Sequence, residues 1–145
     1  MESRLLSFLY HFNVTQDYFE CHEYLESLWL DSGRPEIMKG LIQAAVSLYH
    51  LYNGNVRGAL RMYQRGRPRL VDAFPDYEHI DVTKLVSDLD ALFECVPQAF
   101  KGKTVTPRRI RELALPSVFI SFTDSETSQL VTSWIPESLE EGNEL

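Results

Sequence analysis

Five polar residues in the first third of the chain have the types and the spacing to do metal chemistry. His22 and Glu26 stand four apart in the run Tyr18 to Trp29, YFECHEYLESLW, with Glu23 between them, and Gln43 and His50 follow in the next apolar run. Two imidazoles and a carboxylate (His22, Glu26 and His50) form a ligand set suited to zinc, manganese or iron, with a position left open for water. Glu23, on the helix shoulder beside Glu26, reads as a further ligand or a general base. Gln43 reads as the group that orients the water or the substrate. The reaction implied is hydrolysis by a metal-activated water. The HExxH motif is absent, because position 26 holds Glu where its second His would stand.

The elements that must position these residues are helices. At about 100° per residue, Tyr18, Phe19, His22, Leu25, Glu26 and Trp29 fall within roughly 120° of one another, the width of one core-facing stripe. Asp17, Glu20, Tyr24, Ser27 and Asp31 are expected on the opposite, solvated side. That reading puts His22 and Glu26 inside the core, where an imidazole and a carboxylate need partners. From Glu36 to Asn53 the next helix is apolar round most of its circumference, except for a stripe of Lys39, Gly40, Gln43, Ser47, His50 and Gly54. If the two helices are neighbours, their polar stripes converge. The competing interpretation is structural: His22 bonded to Glu26 and Gln43 to His50, fixing how the helices pack. The aromatics Tyr18, Phe19, Trp29, Tyr49, Tyr52 and Tyr63 read as core and pocket wall.

A second constellation is basic. Arg57, Arg61 and Arg65 share one helix face, Arg67 and Arg69 follow, and no acid lies between Val56 and Leu70. Such a face repels itself unless an anion or an acidic neighbour answers it. It offers a second function class, a helical scaffold that binds a protein or RNA partner. Its bland counterpart is a solvated face paired with the acidic side of the second helix. The arginines carry no aromatic stacking motif, which argues against nucleic acid.

Composition sets the bounds. The 145 residues, 44% apolar and 24% charged, suit one soluble domain with a core of its own. A net charge of −7 argues against a general nucleic-acid coat or an anionic membrane as partner. Cys21 and Cys95 have no CxxC companion, so neither a zinc ribbon nor a disulfide framework is supported, and two isolated cysteines fit a reducing compartment. No apolar run reaches the length of a membrane span, and the first residues, MESRLLSFLYHF, do not read as a signal peptide. These features predict a cytoplasmic protein.

Periodicity and punctuation predict an all-α compact bundle of about five helices with antiparallel αα-hairpins. The first helix covers residues 3–12, and a turn at Asn13 to Thr15 supplies the cap of the second. Asp31 to Pro35 breaks the chain before the third helix. Gly54 and Asn55 end that helix and cap the fourth, which Gly66 and Pro68 are expected to kink or split near Arg67. A loop over Pro75 to His79 precedes a fifth helix capped by Asp81 and closed by Pro97. Residues 1–100 read as the helical domain. Residues 101–145 read as an extension packed on it: a short helix after Pro107, extended segments at Val118 to Phe122 and Leu130 to Ile135 that could pair as a hairpin, and a frayed acidic end from Glu137. The hydrophobic segments of this extension hint at a homodimer contact.

The pattern FNVTQDYFECHEYLESLW, followed by GLIQAAVSLYHLYNGNVRGAL, resembles the domain-of-unknown-function family 309, whose members look like FNxGxYxExHExLExxW, then GLIQxAxAxxH, then a GNxxGA turn. The resemblance covers roughly residues 8–65, with His22, Glu23, Glu26, Gly40, Gln43, His50, Gly54 and Asn55 among the matching positions. Thr15 departs from it, standing where the family usually has Gly. It implies a small all-α fold and brings with it a label of predicted metal-dependent hydrolase.

Overall fold

The computed structural model describes residues 1–139. Its elements run α1 (Ser3–Tyr10), a π turn (His11–Thr15), α2 (Tyr18–Asp31), α3 (Glu36–Tyr52), α4 (Val56–Val71), a two-residue hairpin β1 (Asp76–Tyr77) and β2 (Ile80–Asp81), α5 (Val82–Glu94), a 3-10 turn (Gln98–Phe100), α6 (Pro107–Glu112) and α7 (Ser125–Ser133). The all-α expectation holds, with consecutive helices packed on one another and one small sheet. None of the described helices is long and apolar enough to cross a membrane.

The helix punctuation is largely as the residues dictate. Asn55 accepts from the Gly58 amide and Asp81 from the Lys84 amide, each satisfying a first-turn donor that has no partner within the helix. Between α3 and α4, Gly54 sits at φ +87°, and its carbonyl accepts the Val105 amide at 2.8 Å. A Cβ on Gly54 would lie 1.9 Å from the Val105 carbonyl oxygen, so the connection is open only to glycine. The two helices then run antiparallel at very close range. A Cβ on Gly40 would meet Arg69 Cβ at 2.9 Å, and one on Gly66 would meet Gln43 Cβ at the same distance. Gly66 therefore permits the α3–α4 approach, and α4 continues as one helix through Pro68 to Val71 instead of splitting.

The turn before α2 differs from expectation. Asn13 and Thr15 cap nothing; the chain makes a π turn, Gln16 takes a left-handed φ of 55°, and Asp17 caps α2 by accepting from the Glu20 amide. Asn13 is used across the molecule. Its amide group donates to the Ile120 carbonyl and accepts the Ile120 amide, both at 2.8 Å. The side chain thereby imitates a strand partner at Ile120; the expected segment Val118 to Phe122 forms no strand of its own and bridges to β2 through Ile80 and Phe122.

The hairpin expected from Leu130 to Ile135 does not form. Leu130 to Ser133 belong to α7, which starts after Asp124, carries Glu126 in its first turn and buries Thr127 and Val131 one turn apart. That is the register of a helix resting one stripe on the core, and acids at the start suit the helix dipole. Sequence reading mistook a short amphipathic helix for a strand because LVTSWI is rich in β-branched and aromatic residues. The tail beyond Leu139, part of the expected frayed end, lies outside the described residues.

Candidate metal centre

The buried arc of α2 comprises Tyr18, Cys21, Tyr24, Leu25 and Leu28. It is turned by about 100° from the stripe that periodicity suggested. Tyr24, expected in solvent, is 5% exposed: its ring stacks on His11 and its hydroxyl donates to the Glu137 carbonyl. A C-terminal segment that no local pattern reveals covers this side of the helix. Conversely, Phe19 and Tyr49, read as core, are 48% and 37% exposed. Tyr18 and Tyr52 stack on each other, and burial raises the pKa of both phenols. Trp29 lies under the cations of Arg34 and Lys39, at 5.3 and 5.8 Å from the ring centroid.

The same rotation brings His22, Glu23 and Glu26 to the rim of the core. His22 and Glu23 are half-buried and Glu26 is exposed. Each offers one ligand atom, and the three atoms lie within 4.8 Å of one another. His22 is oriented by its own helix: Nδ1 stands 2.6 Å from the Phe19 carbonyl oxygen. A carbonyl only accepts, so Nδ1 carries the proton and the lone pair of the neutral ring is on Nε2. Histidines that bind metals are commonly held this way, with the outward nitrogen left to coordinate. Phe19 also packs edge-on against the His22 ring and at a tilt against Tyr49, forming an aromatic margin.

Two of the five expected site residues stand elsewhere. Gln43 is buried in the α3–α4 crossing, where its Oε1 accepts from Arg69 Nη1 at 3.3 Å. His50 is outside the group that converges on His22; its Nδ1 lies 3.5 Å from the Asn55 amide nitrogen, at the end of α3. The Gly40 and Gly66 contact turns the polar stripe of α3 toward α4, so it does not meet α2. The internal pairings His22 with Glu26 and Gln43 with His50 are not among the hydrogen bonds formed; Gln43 bonds Arg69 instead.

Glu23, Glu26 and Ser27 line one wall of an open cleft of about 660 Å³ between α1, α2 and the segment from Trp134 onward. Arg4 stands in its wall, with Nη1 bonded to Ser27 Oγ at 3.0 Å and to Asp31 Oδ2 at 2.7 Å. Arg4 also pairs with Glu2 at 3.0 Å; the Asp31 hydrogen bond raises its pKa further, and Glu2 and Asp31 together answer its charge. Sequence reasoning missed Arg4. The available signal was its isolation, as the only Lys or Arg before Arg34 in a run with several acids.

Comparison with known proteins finds a family-model match over this region. The model of the family described as Domain of unknown function (DUF309) matches residues 5–62. An uncharacterized protein of Bacillus subtilis (strain 168), YpuF, is 35% identical over 99 residues, which cover 66% of this chain and 54% of the relative. The chain thus spans about half the length of that relative. No solved structure matches the chain.

Proposed function

We propose, for a chain whose residues 5–62 match the DUF309 family model, that His22, Glu23 and Glu26 hold a divalent cation, zinc or manganese, at a hydrolytic site. The observation that carries this reading is the His22 ring, held through Nδ1 by the Phe19 carbonyl, with a ring nitrogen within 4.8 Å of a carboxylate oxygen of both Glu23 and Glu26. One nitrogen and two oxygen donors suit zinc or manganese and leave coordination positions open. A cation there would supply Lewis acidity and lower the pKa of a bound water. The chain's own residues do the rest. The Phe19 carbonyl fixes the ring, Phe19, itself packed on Tyr49, flanks it with apolar surface, and the open cleft beside it admits a small-molecule substrate. Glu23, the one ligand candidate that is half-buried and also lines the cleft, is the group placed to exchange a proton there. A partner-binding role for the arginine face is compatible with this site, because α4 carries that face and α2 carries the cluster.

The test is metal content of untagged protein by mass spectrometry, followed by zinc and manganese titration of the wild type, His22→Ala and Glu26→Gln. Near-stoichiometric binding in the wild type, lost in both variants, is expected. Absence of binding at micromolar metal would remove the basis of the reading. A hydrolase substrate screen on the loaded protein, with His22→Ala as control, then addresses the reaction.

A further inference from the structure

The charges of this chain are sorted in space. Ten of its fourteen Lys and Arg residues lie in two stretches, α4 and residues 95–111, neither of which contains an acid. The remainder carries all twenty-one acids and only four cations. The fold docks the two basic stretches on each other. The Arg57 amide donates to the Lys103 carbonyl, Asn55 and Thr104 form an antiparallel bridge, and Val105 bonds back to Gly54.

Within this surface, Arg67 is committed to Asp90, Arg69 to Glu36 and Arg108 to Glu112. Arg57, Arg61 and Arg65 are exposed on the outer face of α4, and no ion pair among the described residues includes them, or Lys101, Lys103 or Arg111. The acidic side of α2, the expected partner, does not answer them. At four-residue intervals these arginines rise about 6 Å per step along one side of the helix. Lys103 continues the row beyond its N-terminal end.

We infer that the outer face of α4 and the segment from Phe100 to Arg111 together form a binding surface for the backbone of a single-stranded nucleic acid. Three features favour this occupant. Eight of the ten cations are arginine, whose planar fork pairs with phosphate oxygens two at a time. The Arg109 guanidinium carbon lies over the Phe100 ring, 5.1 Å from its centroid, and an exposed guanidinium plane so held is a surface on which a base can stack. Phe100 is joined to the arginine row through its carbonyl, which accepts the Lys103 amide. The α4 sequence alone lacks such a platform; the docked segment provides it. Finally, the acidic remainder of the molecule confines the basic surface to a strip. A strip accommodates one strand and repels the broader, more densely charged duplex.

The test is fluorescence anisotropy of full-length protein with a short labelled oligouridine across a salt series. Binding at about 50 mM salt that weakens steeply with added salt is expected. The triple variant Arg57→Glu, Arg61→Glu, Arg65→Glu and the pair Lys101→Glu, Lys103→Glu should each weaken it about tenfold or more and flatten the salt slope. The three arginines and Lys103 are exposed and Lys101 is half-buried, and circular dichroism checks the fold; if a reversal variant misfolds, the Gln versions replace it with the same expectation. Oligothymidine should bind comparably, since backbone charge is shared. Variants that bind like the wild type, or a wild type that does not bind at low salt, overturn the inference. So does polyglutamate competing better than the oligonucleotide, which would make the partner an acidic protein, or duplex competing as well as single strand.

Discussion

Phe19 and His22 are joined through the backbone, the Phe19 carbonyl oxygen lying 2.6 Å from His22 Nδ1 one turn later on α2. The bond fixes the ring without taking its second nitrogen, and it needs no other side chain. An imidazole so held costs the fold little to keep at a half-exposed site. Removal of His22 should therefore lower the stability of metal-free protein by less than about 1 kcal/mol, the scale of a substitution away from the core. Thermal melts of wild type and His22→Ala, with and without zinc, check this. Zinc should raise the melting temperature of the wild type alone. A loss of several kcal/mol without metal would make the cluster architectural, as expected for stranding a buried group.

Gly54→Ala should be among the most damaging single-methyl additions in the protein. It forces a left-handed φ on alanine and drives Cβ into the Val105 carbonyl. Denaturant unfolding should show a loss of about 2–4 kcal/mol. Gly33→Ala, at a φ of +80° with nothing within 4 Å of its Cβ, reports the backbone strain alone and should cost less.

The α4–α5 contact predicts a pH dependence. Asp90 accepts from Arg67 and from the Tyr63 hydroxyl at 2.5 Å. The Arg67 hydrogen bond, chiefly, depresses the Asp90 pKa. A carboxylate whose folded pKa is depressed stabilises the fold above its unfolded pKa, near 4, and loses that contribution as pH falls further. Asp90→Ala should cost about 1 kcal/mol at neutral pH, since the ion pair is partly solvated, and the difference should shrink below about pH 4.

At the alkaline end the sign follows from burial. Burial raises the Tyr18, Tyr52 and Tyr63 pKa values. The unfolded chain then releases these protons first, so stability holds below pH 10 and declines above it. Denaturant midpoints at pH 9 and pH 11 test this, with Tyr63→Phe showing the smaller decline.

The two thiols should differ in reactivity. Cys95 is exposed, whereas Cys21 is fully buried on α2 and burial raises its pKa well above the ordinary thiol value. Native protein should react with a thiol reagent at one site and unfolded protein at two, with the Cys95→Ser variant silent until it unfolds.

The sequence was informative at several places where a residue acts on its own neighbours. The Asn55 and Asp81 caps, the Gly54 turn and the apolar belt of α3 follow from chemistry within a few positions. The orientation of α2 did not, because Tyr24 is buried by the Glu137 backbone and a periodicity argument sees one helix at a time. The same limit separated the candidate residues. His50 and Gln43 share a helical stripe with Gly40, and only the glycine pair reveals that this stripe serves the α3–α4 crossing. What survives at the candidate centre is the local part, His22 with Glu23 and Glu26 on one turn of helix.

The contacts that close the molecule join residues very far apart in the chain. Asn13 waits for Ile120, Tyr24 for Glu137, and Ser7 for the Trp134 indole, separations of 107, 113 and 127 residues. On a ribosome the α1–α2 pair emerges long before its cover exists. Its Tyr24 face stays open to water and to chaperones until the last of these residues has left the tunnel. Local helix pairing forms fast and long-range closure slowly. The cleft that holds Glu23 and Glu26 is therefore among the last parts of the protein to be completed, and a nascent chain stalled before Trp134 would have its helices without its site wall.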